Sequence, residues 1–452
     1  MQQAVVTSPA QGVAADDARL MGWGLVVAAT VISASGFAGD ARPVGIVAGL
    51  VAATTTAVLA PQAILALFVT VAGFKAAPWL SGIPADATVL AAAGVAFAVV
   101  ADVIRRGLPA PPRGVIFGLL LTVLVVSAVL WAPDPSLGLA KAGRFEGLTM
   151  LAFAAPIVLV RSRAEMTSLV RPMVAFTLVI SLAATQVGAS SEPLRIIGSN
   201  HIELARYSAL GLLGAAVYLA PQASRREAGL WIAASVVLFH TTLAAGSRGV
   251  LVAVLIAGLV GLGVLERRSQ RVVAVLAGLL AVAAFTVLDP SVRGQAGDRY
   301  RHLLLSSDTD TVLGTREELY HLGVIEAKAH PVGAGTEGFA VDTGLTTCPG
   351  RNDADRSVLA MPCYPHNIEL EISSEYGIPG LALFLALVIA AWIATKQVLG
   401  RHRPSRILAR SLLVLFFIEA QVSEGLNGNR LLFFALGLCF VASRIFEPEP
   451  AA

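Results

Sequence analysis

The feature that most restricts the fold of this chain is the recurrence of apolar segments long enough to cross a membrane. A transmembrane helix needs roughly 20 predominantly apolar residues. Fourteen candidate spans of about this length lie at 21–38, 43–60, 62–79, 88–104, 113–131, 145–160, 171–187, 205–220, 229–245, 249–265, 271–288, 377–397, 407–422 and 429–445. The second and third are separated only by Pro61 and Gln62, so twelve or thirteen spans remain open. The sequence therefore predicts an all-α polytopic membrane protein with about 12–14 transmembrane helices.

Composition supports the same fold class and excludes others. Charged residues make up 14% and hydrophobic residues 56% of the 452 residues. A soluble globular protein carries about 25% charged residues. This balance excludes a soluble enzyme, a nucleic-acid-binding protein, a secreted disulfide scaffold and a disordered chain. The polar first twenty residues, which include Asp16, Asp17 and Arg19, argue against a cleavable signal peptide.

Basic residues orient the predicted spans. Clusters of Lys and Arg fall on every second loop, at 105–113, 161–171, 225–226, 267–271 and 396–410. Because such residues are retained on the cytoplasmic side, we expect a cytoplasmic C-terminus, and a cytoplasmic N-terminus if the number of spans is even. The long segment 289–376 then lies outside. We therefore divide the chain into an N-terminal transmembrane bundle (1–288), an outer loop (289–376) and C-terminal transmembrane helices (377–452).

The outer loop is acidic and is predicted to be partly helical. It contains fourteen Asp/Glu and seven Lys/Arg, whereas the chain as a whole carries a net charge of +3. Thr315 to Glu318 form a capping-box pattern, which predicts a helix that ends at Pro331. Cys348 and Cys363 lie in the same loop, and an oxidising exterior favours a disulfide between them over two unpaired thiols.

Basic residues on the outer side depart from the orientation rule and indicate a candidate site. Seven of them map to that side: Lys141, Arg144, Arg195, Arg206, Arg248, Arg316 and Arg430. Such side chains can also snorkel to the membrane interface without taking part in any chemistry. As a set, they favour an outward-facing basic site that attracts an anionic substrate.

Arg248 is the most informative of these residues because it follows a tight break, Gly246-Ser247, between two spans. It would begin the second span, and a helix N-terminus offers unpaired N–H groups and the positive end of the helix dipole. A guanidinium there can bind phosphate oxygens bidentately. Arg316, in the first turn of the loop helix, repeats this arrangement.

A second constellation lies where the outer loop returns to the membrane. Pro365, His366 and Asn367 precede a helix in which Asn367, Glu371 and Glu375 share one face. Histidine at such a place is a candidate general base because it titrates near neutral pH. The alternative interpretation is an ordinary helix cap followed by solvated glutamates.

Other polar residues are less informative. His201, Glu203 and Arg206 lie at the outer end of a span, where a functional group and a solvated turn remain equally open. His240 lies alone within a span and is interpreted as a hydrogen-bonded core residue. The sequence contains no Gly-Lys-Ser nucleotide loop and no convincing metal-ligand spacing.

Three motifs together resemble those of the O-antigen ligase and O-antigen polymerase superfamily. They are Pro365-His366-Asn367-x-x-Leu370-Glu371-x-x-x-Glu375-x-Gly377-x-x-Gly380, the break Gly246-Ser247-Arg248-Gly249, and Arg316 followed by His330-Pro331-x-Gly333-x-Gly335-x-x-Gly338-Phe339. The motifs cover less than half of the chain, but they occur in the order typical of the family. The segment around Arg351 to Arg356 has no counterpart in that pattern.

The resemblance implies a reaction as well as a fold. Such proteins take a glycan from an undecaprenyl-diphosphate carrier at the periplasmic face of the bacterial inner membrane, without a cofactor or metal. By this resemblance, Arg248 and Arg316 would hold the donor diphosphate and His366 would act as the catalytic base. Residues expected to support the site are Asn367, Glu371, Arg144, Arg206 and His330. The partners would be the lipid-linked glycan, a lipid A-core or other glycan acceptor and membrane lipids, with no nucleic acid.

Several functions remain open at this stage. Ligation of O-antigen to lipid A-core is the first expectation, and polymerisation of O-antigen or exopolysaccharide is an alternative on the same fold. Transfer to a protein hydroxyl is a third acceptor option. A transporter of the lipid-linked glycan is the alternative from another class, although the charged candidates crowd the outer interface rather than the membrane midplane.

Overall fold

The architecture is that of a helical membrane bundle, seen in a computed structural model that describes residues 54–73, 86–187, 194, 201–264, 314–346, 363–396 and 402–445. Every regular element in these ranges is helical. The α-helices are α1 (Pro61–Thr70), α2 (Ala87–Arg106), α3 (Val115–Ser127), α4 (Pro135–Arg144), α5 (Leu151–Leu159), α6 (Arg163–Val187), α7 (His201–Leu213), α8 (Arg225–Ala244), α9 (Arg248–Gly261), α10 (Gly314–Ala329), α11 (Gly338–Asp342), α12 (Ile368–Ala394), α13 (Arg403–Ala420) and α14 (Arg430–Ala442).

The length and composition of these helices confirm the predicted fold class. Within the described ranges, six helices are long and apolar enough to cross a membrane, and four shorter apolar helices accompany them. The predicted spans at 21–38 and 271–288, and most of the one at 43–60, lie outside the described residues. The chain is a multi-pass membrane protein, and its exact number of spans stays a prediction.

One predicted boundary is wrong in a way that affects the site. The span predicted at 145–160 begins at Pro135, because a π-helical turn at Phe145–Met150 joins α4 to α5 in one continuous helix. Asp134 caps this helix by accepting hydrogen bonds from the Ser136 and Leu137 amides at 2.9 and 3.2 Å. Residues of α4 assigned to an outer loop from the sequence, Lys141 among them, therefore lie in a helix.

Helices from both sides of the long loop pack into one core. Ring contacts join α14 to the first half of the bundle: Phe433 meets Phe145 edge-on, and Phe440 meets Phe153 in the same way. The helix α13 packs along α9 and α14. The division into N-terminal and C-terminal membrane units at residues 288 and 377 stays a prediction.

The two ends of the bundle have different polar groups. At one end, Arg106 pairs with Asp102 and Glu165, and Arg161 lies 2.9 Å from the second oxygen of Asp102. Arg444 donates to the Ile157 carbonyl at the same end. The opposite end, where residues 331–338, 363–368 and 421–430 meet, is called the site end below.

The predicted loop helix is present as α10, with one difference at its start. It begins at Gly314, so Thr315 lies inside the first turn, and the side-chain hydrogen bonds of the predicted capping box stay a prediction. Boundary shifts of one residue are common where chains enter a helix. The helix ends at Ala329, before Pro331, as predicted.

Candidate active site

The segment 331–338, called the HPG loop, docks on a kink in α12. Gly377 has a positive φ of 65°, and Gly333 has one of 98°. A Cβ atom on either glycine would collide with the backbone of the other segment. The contact is sealed by hydrogen bonds from the Ile378 amide to the Pro331 carbonyl at 2.9 Å and from the Gly335 amide to the Glu375 carbonyl at 3.0 Å. The glycines of two separate motifs thus serve one backbone-to-backbone contact.

His366 and Asn367 form the entry to α12. Asn367 is the N-cap residue, since its Oδ1 accepts from the Leu370 amide at 2.9 Å. Its Nδ2 donates to the carbonyl and side-chain oxygens of Gln421, at 3.2 and 3.1 Å. His366 has a φ of 57°, in the left-handed region. The alternative interpretation of this motif as a helix cap is therefore correct for Asn367. The hydrogen bonds from Asn367 to Gln421 also keep the preceding residue, His366, close to residue 421.

Two tyrosines contact His366, one at its ring and one at its backbone. The ring centroids of His366 and Tyr364 lie 4.5 Å apart. The Tyr320 hydroxyl, from α10, donates to the Gln421 carbonyl at 2.9 Å and lies 3.4 Å from the His366 carbonyl. The candidate base is thus held between α10 and the 421–429 loop that joins α13 to α14.

A buried ion cluster lies beneath this entry. The Lys141 ammonium lies 2.6 Å from Oε1 of Glu371, 2.7 Å from Oε1 of Glu375 and 3.7 Å from Oε2 of Glu337. Glu371 and Glu375 are only 2% and 1% exposed, so the alternative of solvated glutamates is wrong. The second oxygen of Glu371 accepts from the Leu426 amide at 2.6 Å.

The position of Glu337 perturbs its protonation. Burial disfavours the carboxylate and raises the pKa of Glu337, an effect that Lys141 only partly opposes. The like charge of Glu371 raises the pKa of Glu337 further, whereas the positive charge of Arg144, at the end of α4, lowers it. Arg144 thus lies near enough to the HPG loop to act on Glu337, and its supporting role stays a prediction.

Arg206 is held by carboxylates at the site end. Its guanidinium pairs with Glu419 and Glu424 and donates to the Ser423 hydroxyl, and the residue is only 4% exposed. Glu424 has a φ of 60° in the 421–429 loop. A guanidinium neutralised by two carboxylates is a poor phosphate ligand, and the pair with Glu424 holds Arg206 against this loop; its supporting role in the site stays a prediction.

Backbone conformation singles out the same end of the bundle. Within the described ranges, Glu337, His366 and Glu424 are the non-glycine residues with positive φ. Such conformations cost about 1–3 kcal/mol each and persist where surrounding contacts enforce them, often at functional sites. Each of the three belongs to a contact described above, so the local strain and the polar clusters coincide.

Arg248 begins α9, as predicted. The turn before it uses Gly246, which has a φ of 66°, and Ser247 occupies the N-cap position. A Cβ on Gly249 would lie 2.9 Å from a methyl group of Val422, so this helix N-terminus packs on the 421–429 loop. Arg430 lies on the other flank of the loop, with its guanidinium 5.9 Å from the centre of the Phe68 ring.

The remaining predicted residues are placed as follows. Arg316 lies in α10, one turn before Tyr320. His330, at the end of α10, lies 3.5 Å from Glu326 and 3.6 Å from Asp342. These three side chains form a possible metal-ligand group that the linear spacing did not reveal. The three side chains lie beside the HPG loop, and the supporting role expected for His330 stays a prediction.

The cysteines are only partly described. Cys363 is buried and disulfide-bonded, whereas Cys439 is a free, buried thiol in α14. Cys348, the predicted partner of Cys363, lies outside the described residues, as does Arg195. The specific Cys348–Cys363 pairing therefore stays a prediction.

Sequence reasoning missed two parts of the site. It grouped Lys141 with the substrate-attracting cations, although its ammonium is buried among carboxylates. It also overlooked the 421–429 loop, which contacts Asn367, Arg206 and Glu371. Two acidic residues in an otherwise apolar C-terminal region, Glu419 and Glu424, were the available signal.

Together these contacts place a histidine, two helix starts and several cations around one loop. A histidine in such a setting can accept a proton, and cations at helix starts can stabilise developing negative charge. The arrangement therefore suits group transfer with an anionic leaving group.

Comparison with known proteins supports the family resemblance. Residues 233–385 match the family model described as O-antigen ligase, Wzy_C. The match encloses Arg248, Arg316, His330 and His366, and it ends before the 421–429 loop. It confirms the resemblance drawn from the motifs. No curated protein matches the chain.

Proposed function

With the O-antigen ligase domain of residues 233–385 as the premise, we propose that this protein transfers a glycan from undecaprenyl diphosphate to an acceptor at the periplasmic face. The acceptor would be lipid A-core, which makes the reaction O-antigen ligation. The observation that carries the proposal is the placement of His366, α10 and the N-terminus of α9 around the 421–429 loop.

The roles of the residues follow from the chemistry of the transfer. The acceptor hydroxyl gives its proton to His366 while its oxygen attacks the anomeric carbon, and the bond from that carbon to the diphosphate breaks. The lipid diphosphate leaves with the bonding electrons. Arg248 and Arg316 hold this leaving group, because guanidinium groups bind phosphate oxygens bidentately and stabilise charge that develops in the transition state.

The location and the metal independence of the reaction belong to the same proposal. Basic loops at the opposite end of the bundle favour a cytoplasmic position for that end, which leaves the site end in the periplasm of the inner membrane. The C-terminus would then be cytoplasmic, and the N-terminus too if the number of spans is even. No ATP is available there, and the diphosphate bond itself supplies the driving force. Arginines take the charge-stabilising role that a metal ion has in other phosphate-releasing enzymes.

The test is replacement of His366 by alanine, with His321→Ala as the matched control on the exposed part of α10. Purified variants are given undecaprenyl-diphosphate-linked glycan and lipid A-core in detergent, and transfer is measured on gels. We expect His366→Ala to abolish transfer and His321→Ala to retain it. Normal transfer by His366→Ala would refute the role of the base.

The same gels separate the alternatives. A ligase joins glycan to lipid A-core, whereas a polymerase extends the carrier-linked glycan into a ladder even without lipid A-core. Transfer in detergent, where there is no membrane to cross, would eliminate a transporter. Absence of transfer by the wild-type protein to any glycan or protein acceptor would refute the proposed enzyme class.

A further inference from the structure

Lys141 occupies the junction of three segments that are far apart in the sequence. Its ammonium meets Glu371 and Glu375 of α12 and Glu337 of the HPG loop. Its own carbonyl accepts from Nδ2 of Asn427 at 3.2 Å. One residue of α4 thus contacts α12, the HPG loop and the 421–429 loop.

Net stability is a poor explanation for this cluster. Taking a lysine and carboxylates out of water costs several kcal/mol per ion, and buried ion pairs often contribute little net stability. What such a cluster can provide is a fixed arrangement of the segments that contribute its residues. Here those segments include the family motifs and the 421–429 loop, around which the motifs meet.

A continuous set of contacts leads from Lys141 to the candidate base. Lys141 forms an ion pair with Oε1 of Glu371. The other oxygen of this carboxylate, Oε2, accepts a hydrogen bond from the Leu426 amide. Gly425 fits between this carboxylate and Tyr364, since a Cβ there would lie 2.7 Å from Oε2 of Glu371 and 3.1 Å from the Tyr364 ring. The ring of Tyr364 in turn packs on His366.

We infer that Lys141 is a positioning residue for the transfer reaction, which fixes the HPG loop and the 421–429 loop against the entry to α12 and thereby orients His366. Lys141 does not touch substrate, because it is 4% exposed and its ammonium is surrounded by carboxylates. Its loss therefore affects turnover more than donor binding. The kinetic part of this inference rests on the proposed function.

The experiment compares Lys141→Met, Lys141→Arg and the control Lys328→Met, which removes an exposed lysine from α10. Backbone amide hydrogen exchange and transfer kinetics are measured on each purified full-length protein. We expect Lys141→Met to lower kcat about 10- to 100-fold with KM for the donor nearly unchanged, since small misplacements of a reacting group have effects of this size. Lys141→Arg should recover part of kcat, and Lys328→Met should match wild type.

Hydrogen exchange tests the positioning independently of activity. In Lys141→Met, exchange should accelerate at the amides of Gly335 and Leu426, while amides near Arg161 at the opposite end stay protected. If Lys141→Met does not fold, Lys141→Met/Glu375→Gln replaces it, because this pair of changes removes one cation and one anion and leaves the formal charge of the cluster unchanged.

Three results would overturn the inference. They are a wild-type kcat in the folded variant, a uniform rise of exchange over the chain, and a loss confined to KM. Failure of the wild-type protein to transfer glycan would instead refute the proposed function and leave the exchange result to decide whether Lys141 holds the loops.

Discussion

Replacing Gly377 by alanine tests whether the HPG loop is held by direct backbone contact with α12. An alanine with a φ of 65° and a ψ of −164° occupies a region of backbone conformation that is essentially restricted to glycine, which costs about 1–3 kcal/mol. The new Cβ also meets the Pro331 carbonyl and the Gly333 backbone. Relief of that collision breaks the hydrogen bond from the Ile378 amide to Pro331, worth about 1 kcal/mol. The sum is about 2–4 kcal/mol of lost stability.

The assay is denaturant unfolding of the purified protein in detergent, followed by tryptophan fluorescence. The matched control is Gly143→Ala, because Gly143 lies in the continuous helix of α4 and α5 and a Cβ there meets only open space. This control should be neutral or more stable by about 0.5–1 kcal/mol. Gly333→Ala combined with Gly377→Ala should cost less than the sum of the single changes, since both open one contact. Equal stability of Gly377→Ala and Gly143→Ala would refute the reasoning.

Two further predictions concern buried charges. Arg206→Met should lower the free energy of unfolding by about 3–5 kcal/mol, because it leaves the buried carboxylate of Glu419 and the partly exposed one of Glu424 without their cation. Unfolding titrations measure the loss, and adding Glu419→Gln should recover part of it. Glu337→Gln should become more stable relative to wild type as pH rises above about 4.5, because the pKa of Glu337 is raised above its usual value of 4.5. The protonated group stabilises the fold at low pH, and this contribution is lost as pH rises through the folded-state pKa. Unfolding temperatures of the two proteins at several pH values measure it.

Each of these predictions has a result that contradicts it. If Arg206→Met unfolds at the wild-type denaturant concentration, the carboxylates of the 421–429 loop do not depend on that guanidinium. If the difference in unfolding temperature between wild type and Glu337→Gln is constant over the pH range, burial does not perturb the Glu337 carboxyl. A difference that changes in the opposite direction would mean that Lys141 outweighs burial.

Periodicity and composition could predict most of the membrane fold because a spanning helix must satisfy its own backbone and present apolar side chains. The start of α4 was missed for a physical reason. It mixes charged and small residues with few large apolar ones, so local hydropathy does not show that the buried Lys141 lies in a helix.

The candidate site was predicted unevenly. The cap at Asn367 and the helix start at Arg248 follow from local chain geometry, which short motifs encode directly. The cluster around Lys141 joins residues 234 positions apart, and no local pattern gives such a pairing. The same limit applies to Arg206 and Glu419, whose contact depends on how α7 and α13 pack.

The position of the 421–429 loop has a consequence for protein engineering. The family match ends at residue 385, yet Gln421 holds Asn367 and Leu426 holds Glu371 across that boundary. A chimaera that exchanges only residues 233–385 between two such proteins would separate these partners. The exchanged segment must therefore extend to residue 430, and α4 must be exchanged with it. The contacts among α4, α12 and the 421–429 loop then all come from the same parent protein.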